Sequence, residues 1–235
     1  MTLLSHNVFW FQGVPFETDR PGDPCIEIME SLISLYRRIG PDVLCLQEVQ
    51  RQDVFDEVAR RAGYDGHYTE GSTLRPYGGA MLWRKGRVVE TSTQGDGTQR
   101  VWQIARCGFL TVCNVHLPSS RQLGAQRAAA QRVVEMGRAT RATPDIVMGD
   151  LNEPPDGEVD RLLAEAGYAD AALHTGQASR PSSLGGGRGD RIFVHSSHLD
   201  GLSEYGTLDS EDLKNDSGGK VSLSDHLPLW IRMEC

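Results

Sequence analysis

Asp145-Ile146-Val147-Met148-Gly149-Asp150-Leu151-Asn152 is a short apolar run that ends abruptly in a glycine, a carboxylate and an amide. Ile146-Val147-Met148 lacks the polar–apolar alternation of a half-exposed strand, as expected where both faces are buried. Gly149 permits a tight exit from such a strand. Asp150 and Asn152, two apart in extended backbone, can address the same face. An Asp/Asn turn leading into Pro154 accounts for the tetrapeptide equally well.

Two other stretches have the same character. Val43-Leu44-Cys45-Leu46 runs into Gln47-Glu48, and Ser224-Asp225-His226 opens the apolar run from Leu227 to Ile231. In α/β proteins, polar groups just beyond strand ends are where sites form, because the strands are buried and their loops are not. Oxygen ligands together with histidine in such loops point to a hard divalent metal acting on phosphate. Asn7, at the end of the first strand candidate, adds an amide oxygen to Glu48, a donor set that Mg²⁺ or Mn²⁺ accepts. Beside His226, Asp225 can orient the ring and stabilise an imidazolium. His116 closes Leu110-Thr111-Val112-Cys113-Asn114-Val115, where it is either functional or bonded to a neighbouring carbonyl. Asp190, ahead of Arg191-Ile192-Phe193-Val194, is a turn acid or a partner for His226 or His116.

Strand and helix signals alternate along the chain. Strands are predicted over Thr2–Val8, Val43–Leu46, Ala80–Trp83, Val101–Ala105, Phe109–His116, Asp145–Gly149, Arg191–Val194 and Leu227–Met233. Helices are predicted over Cys25–Ile39, Val54–Ala62, Leu123–Thr140 and Glu158–Ala166. Ile28, Leu32, Leu35, Tyr36 and Ile39 recur at helical spacing, and Gly40-Pro41 stops that helix. A length of 235 residues, 39% hydrophobic and 24% charged, fits one domain over residues 1–235 with a substantial core.

Composition also narrows the function classes. No apolar run reaches the roughly 18 residues that a membrane span needs, and no export signal opens the chain. Five cysteines, an odd number without metal-type spacing, argue against a disulfide framework or zinc site and for a reducing cytoplasm. A net charge of −8 disfavours broad polyanion binding, although a metal and a few arginines suffice to hold one phosphate.

The ordered set Asn7, Gln47-Glu48, Asn114-Val115-His116, Gly149-Asp150-Leu151-Asn152, Asp190-Arg191-Ile192 and Ser224-Asp225-His226 resembles the endonuclease/exonuclease/phosphatase superfamily, from residue 5 to about residue 230. The resemblance implies a four-layer α/β sandwich, two mixed β-sheets face to face with helices outside. It also implies phosphoester hydrolysis with Mg²⁺ or Mn²⁺. Glu48 would hold the metal, with Asn7 close by and Asp225 as a further ligand. Asp150 would position or deprotonate the attacking water, and Asn152 would hold a phosphate oxygen or help bind the metal. His226, backed by Asp190 or Asp225, would stabilise transition-state charge, and His116 would contact the phosphate from the other side. Asn114, Arg121 and Arg127 are the expected substrate contacts, with Trp10, Phe11 and Phe16 as aromatic candidates.

The chain departs from parts of the family pattern. DNase-I-like members carry a glutamate that pairs with the first histidine, and Tyr77-Gly78-Gly79-Ala80 has none. The tyrosine that abasic-site endonucleases carry at the place of His116 is also missing. Asp190-Arg191-Ile192-Phe193 is similar to tyrosyl-DNA phosphodiesterase members, so DNA or nucleotide diesters lead as the expected substrate. The alternatives are a small phosphorylated metabolite, a lipid headgroup, or binding without catalysis.

Overall fold

The computed structural model describes residues 1–15, 21–85, 98–215 and 219–234, and the backbone of 89–93. Phe16 lies outside the described residues. Two six-stranded sheets form the centre of the molecule. The first contains β1 (Thr2–Asn7), β2 (Val43–Val49), β3 (Tyr64–Thr69), β4 (Gly78–Arg84), β11 (Leu202–Thr207) and β12 (Leu229–Met233), in the order β11-β12-β1-β2-β4-β3. The second contains β5 (Val89–Thr93), β6 (Val101–Cys107), β7 (Leu110–His116), β8 (Ile146–Asp150), β9 (Tyr168–Asp170) and β10 (Asp190–His195), in the order β5-β6-β7-β8-β10-β9. Each sheet has one parallel pair at its centre, β1 with β2 and β7 with β8, and its other pairs are antiparallel.

Strand periodicity separates the side chains into three apolar layers. Val43 and Cys45 face the other sheet and meet Val112, Ile146 and Met148. Leu44 and Leu46 point outward against Ile28, Leu32 and Tyr36 of α1 (Ile26–Ile39) and Val58 of α2 (Gln52–Ala62). On the opposite side Cys113, Val115 and Val147 pack on Met136 and Leu163. These last two belong to α4 (Ala125–Ala139), which follows the short α3 (Ser120–Leu123), and to α5 (Glu158–Glu165). A further short helix, α6, spans Ala171–His174. The result is helix, sheet, sheet, helix, the expected four-layer sandwich, and it explains why the central strands are apolar on both faces.

The helix predicted over Leu123–Thr140 is α4, while Leu123 closes the preceding α3, because Gly124 takes a φ of +76° between the two. At Gly149, φ is +141° and an added Cβ would sit 2.0 Å from the Val115 carbonyl oxygen of the neighbouring parallel strand. Gly149→Ala is therefore expected to cost roughly 3–4 kcal/mol. Thermal unfolding should show a Tm lower by on the order of 10 °C.

Candidate active site

The two parallel pairs end at the same rim of the sandwich. Asn7 and Glu48 come from the ends of β1 and β2, His116 and Asp150 from the ends of β7 and β8. Asp190 opens β10 directly opposite Asp150 in register, and His116 pairs with Asp150 from the other side. The sheets meet where Asn7 Nδ2 donates to Asp150 Oδ2 at 3.2 Å. Glu48 is the extra residue of a bulge, with φ +60°, between Gln47 paired to Gly79 and Val49 paired to Gly78. An added Cβ on Gly78 would lie 2.6 Å from the Val49 carbonyl oxygen, and one on Gly79 2.6 Å from Gln103 Oε1. Close packing beneath Glu48 thus explains the glycine pair where DNase-I-like members carry their glutamate.

Asp190 and His226 form one half of the site. His226 Nδ1 donates to Asp190 Oδ2 at 2.8 Å, and Ser182 Oγ donates to the same oxygen at 3.0 Å. Burial works against a charged His226 ring, but Asp190, with Asp150 and Asp225 behind it, outweighs burial and holds the imidazole protonated well above its usual range. Burial raises Asp190 to about 6, with His226 opposing the rise and Asp150 adding to it. The pair therefore rests as carboxylate and imidazolium at neutral pH. Ligand atoms of Asp150, Asp190 and His226 all lie within 4.8 Å of one another.

Glu48, His116 and Arg100 form the other half. His116 Nε2 lies 3.3 Å from Asp150 Oδ2 and 3.7 Å from Glu48 Oε1. It also contacts Arg100 Nη1 directly. Burial drives the His116 ring well below its ordinary range, and the charges of Arg100 and His226 push the same way, so the ring is neutral. Burial lifts the Glu48 carboxyl to about 7 against the pull of Arg100 and His226, while Asp150 and Asp225 add to the rise. Two buried carboxylate oxygens, Glu48 Oε2 and Asp225 Oδ1, have no hydrogen-bond partner among the described residues.

The remaining expected residues divide clearly. Asn152 takes φ +50°, its N–H donates to Asp150 Oδ1 at 2.8 Å and its amide donates to the Leu117 carbonyl at 3.0 Å, which fixes the loop around Asp150. Asn114 is fully buried below the rim. Its amide accepts from Gln47 at 2.7 Å and donates to Gln103 Oε1 and the Leu46 carbonyl, both at 3.0 Å. That placement makes Asn114 part of a polar brace between the sheets instead of a surface open to substrate. Arg121 on α3 and Arg127 on α4 are exposed and bond to none of the converging side chains. Trp10 and Phe11 are buried, and Trp10 donates its indole N–H to the Pro76 carbonyl at 2.9 Å.

Arg100 and Ser182 escaped the sequence reading. Arg100 immediately precedes β6, and antiparallel pairing places Val101 opposite His116. The start of one antiparallel strand always lies beside the end of its neighbour, which is the signal that could have found it. Ser182 sits in a loop whose backbone joins the segment around His226, through the Ser183–His226 bridge and the Leu227 N–H donating to the Ser182 carbonyl at 2.9 Å.

The Endonuclease/Exonuclease/phosphatase family model matches residues 4–226. The chain belongs to this family. Endonucleases, exonucleases and phosphatases share hydrolysis of a phosphoester bond, so membership makes the chain a phosphoester hydrolase. Among curated proteins no relative matches it. Among solved structures it is similar to a mannosyl-6-phosphatase from Bacteroides thetaiotaomicron (16% identity, TM-score 0.73) and to an AP endonuclease from Archaeoglobus fulgidus (17%, 0.72), each comparison covering 100% of both chains. It is also similar to D. rerio TDP2 complexed with a single strand DNA product (18%, 0.71, covering 100% of this chain and 99% of that one). At these identities the likeness is one of fold, and it includes the TDP2 branch that Asp190-Arg191-Ile192-Phe193 resembles. No helix among the described residues is long and apolar enough to cross a membrane.

Proposed function

We propose that residues 1–235 form one catalytic domain of the cytoplasm that hydrolyses phosphodiesters of DNA or nucleotides, with Mg²⁺ or Mn²⁺ and an in-line water. The observation that carries this reading is the convergence of Asp150, Asp190 and His226 within 4.8 Å at one rim, with Glu48 reached from Asp150 through His116. Glu48 and Asp225 would hold the cation, with Asn7 beside them. Their unpartnered oxygens are the donors a hard ion needs, and an uncompensated buried carboxyl at about 7 is relieved by a positive charge. Bound there, the ion neutralises charge on the phosphoryl oxygens.

The tight group Asp150, Asp190 and His226 serves better as proton machinery than as ligands, because His226 Nδ1 is committed to Asp190. Asp150, with one oxygen fixed by Asn7 and the other by the Asn152 N–H, orients the water and takes its proton. His226, held charged by Asp190, donates to a phosphoryl oxygen. Asn152 supports Asp150 and faces the phosphate. His116, neutral, offers its ring to the same group. Positioning and fixed charge of this kind supply most of the acceleration in phosphoryl transfer.

A phosphatase of a small phosphorylated metabolite or lipid headgroup is the second reading, favoured by the net charge of −8. The test is a panel of single-stranded DNA, duplex DNA, 5′-adducted DNA, nucleotides, sugar phosphates and inositol phosphates, each with Mg²⁺ and with chelator. Cleavage of a diester with the metal and silence with chelator are expected. Turnover of monoesters alone would select the second reading, and undiminished cleavage in chelator would remove the metal from the scheme.

A further inference from the structure

We propose that Arg100 is a substrate-contacting residue, the second fixed cation of the phosphate cradle, which binds a phosphoryl oxygen on the Glu48–His116 side opposite His226. This deepens the hydrolase reading and rests on it. Arg100 is only 4% exposed, yet no carboxylate bonds to it. Glu48, the one carboxylate oxygen within 4 Å among the described residues, stands 3.9 Å from Nη1, beyond hydrogen-bond reach. Its hydrogen-bond partners are uncharged, which leaves Glu48 as its single carboxylate neighbour among the described residues. Nη1 meets the His116 ring nitrogen, Nη2 donates to Gln122 Oε1 at 3.1 Å, and the plane lies 4.3 Å over the Tyr77 ring. Nε has no hydrogen-bond partner among the described residues. A buried guanidinium in such company is costly unless an anion arrives to pair with it. An oxyanion accepts from such a fork with good geometry.

The segment that carries Arg100 is built to hold it. The Ser72 N–H donates to the Arg100 carbonyl at 2.9 Å, and the Thr73 and Leu74 N–H groups donate to the Gln99 carbonyl at 3.1 and 3.0 Å. From the other side, Glu135 of α4 accepts the Gln99 N–H at 2.7 Å. Tyr77, under the guanidinium, is itself tied down, since Gln122 donates to its hydroxyl at 2.7 Å. Arg100 is thus locked between two loops and a helix before any ligand enters, the preorganisation that lets a fixed charge act on a developing one. It meets the same His116 nitrogen that Asp150 and Glu48 approach at 3.3 and 3.7 Å, so the cation stands beside both carboxylates of the rim.

The test uses the full chain with Mn²⁺ and bis-p-nitrophenyl phosphate, with inorganic phosphate as the binding probe. Arg100→Gln is expected to lower kcat/KM by about 10²–10³-fold and to weaken inhibition by phosphate at least tenfold. Arg100→Lys should recover part of both, and Arg100→Ala should regain turnover when millimolar methylguanidinium is added. Thermal unfolding of each variant identifies any that fail to fold, and the lysine variant then decides. Rates and phosphate inhibition within twofold of wild type in Arg100→Gln, or a loss in a folded Arg100→Ala that neither lysine nor methylguanidinium restores, would overturn the assignment. A wild-type chain that turns over no phosphoester but still binds phosphate through Arg100 would instead count against the hydrolase reading alone.

Discussion

Asp190→Asn is expected to lower kcat by roughly 10²–10⁴-fold at neutral pH, with little change in KM and with the alkaline limb of the pH–rate profile displaced to lower pH. Asparagine can still accept a hydrogen bond from His226 Nδ1, so the ring keeps its orientation and the change isolates charge from geometry. In the native protein burial disfavours the imidazolium, and the attraction of Asp190 overcomes it. Without that carboxylate burial prevails, and the ring titrates at a lower pH. Activity that needs the charged ring is present below its pKa and lost as pH rises through it. The native enzyme therefore keeps His226 charged across the neutral range, and the variant does not. A kcat–pH series on both proteins checks this. An unmoved alkaline limb would show that His226 does not act as the cation.

Glu48→Gln should remove metal-dependent turnover, with a rate loss of at least about 10³-fold, the equivalent of several kcal/mol of transition-state stabilisation. The substitution keeps volume and one oxygen, so the bulge that presents the side chain should survive, and Tm should stay equal or rise. A rise is reasonable because burial already holds the Glu48 carboxyl unfavourably at about 7, and an amide carries no such burden. Calorimetric titration with Mn²⁺ gives a readout that does not depend on turnover, and the heat of binding seen with the native chain should vanish. Retention of full Mn²⁺ affinity would move the cation to the Asp150–Asp190–His226 cluster.

Much of the architecture is readable in the chain, and the reason for what is not is specific. The four strands that escaped prediction, β3, β5, β9 and β11, are the four sheet edges. Edge strands are partnered on one side only and do not carry continuous apolar runs. Tyr64-Asp65-Gly66-His67-Tyr68-Thr69 and Val89-Glu90-Thr91-Ser92-Thr93 carry no such run, so neither is among the predicted strands. The central strands announce themselves because both their faces are covered. The same contrast governs the site. Asp150, Glu48, Asn7, Asp190 and His226 stand out as polar residues at the limits of apolar runs. Ser182 lies in a polar loop with no such contrast, and Arg100, although it directly precedes β6, shows its place only through the pairing of Val101 with His116. Asn114 shows how depth along a strand is hidden in the sequence. It shares a face with His116, but two residues back along the strand that face has left the rim and entered the space between the sheets.

Asn114, Gln47, Gln103 and Ser5 form a hydrogen-bonded chain across that space, with Gln47 Nε2 reaching both Ser5 Oγ at 3.1 Å and Asn114 Oδ1 at 2.7 Å. Oil-like contacts alone would let two pleated layers glide past one another with little resistance, whereas directional amide links resist shear. Asn7 and Glu48 ride on one layer and His116 and Asp150 on the other. Chemistry at the mouth is therefore gauged by a strut beneath it, and whatever loosens that strut detunes the reaction without touching a reacting atom.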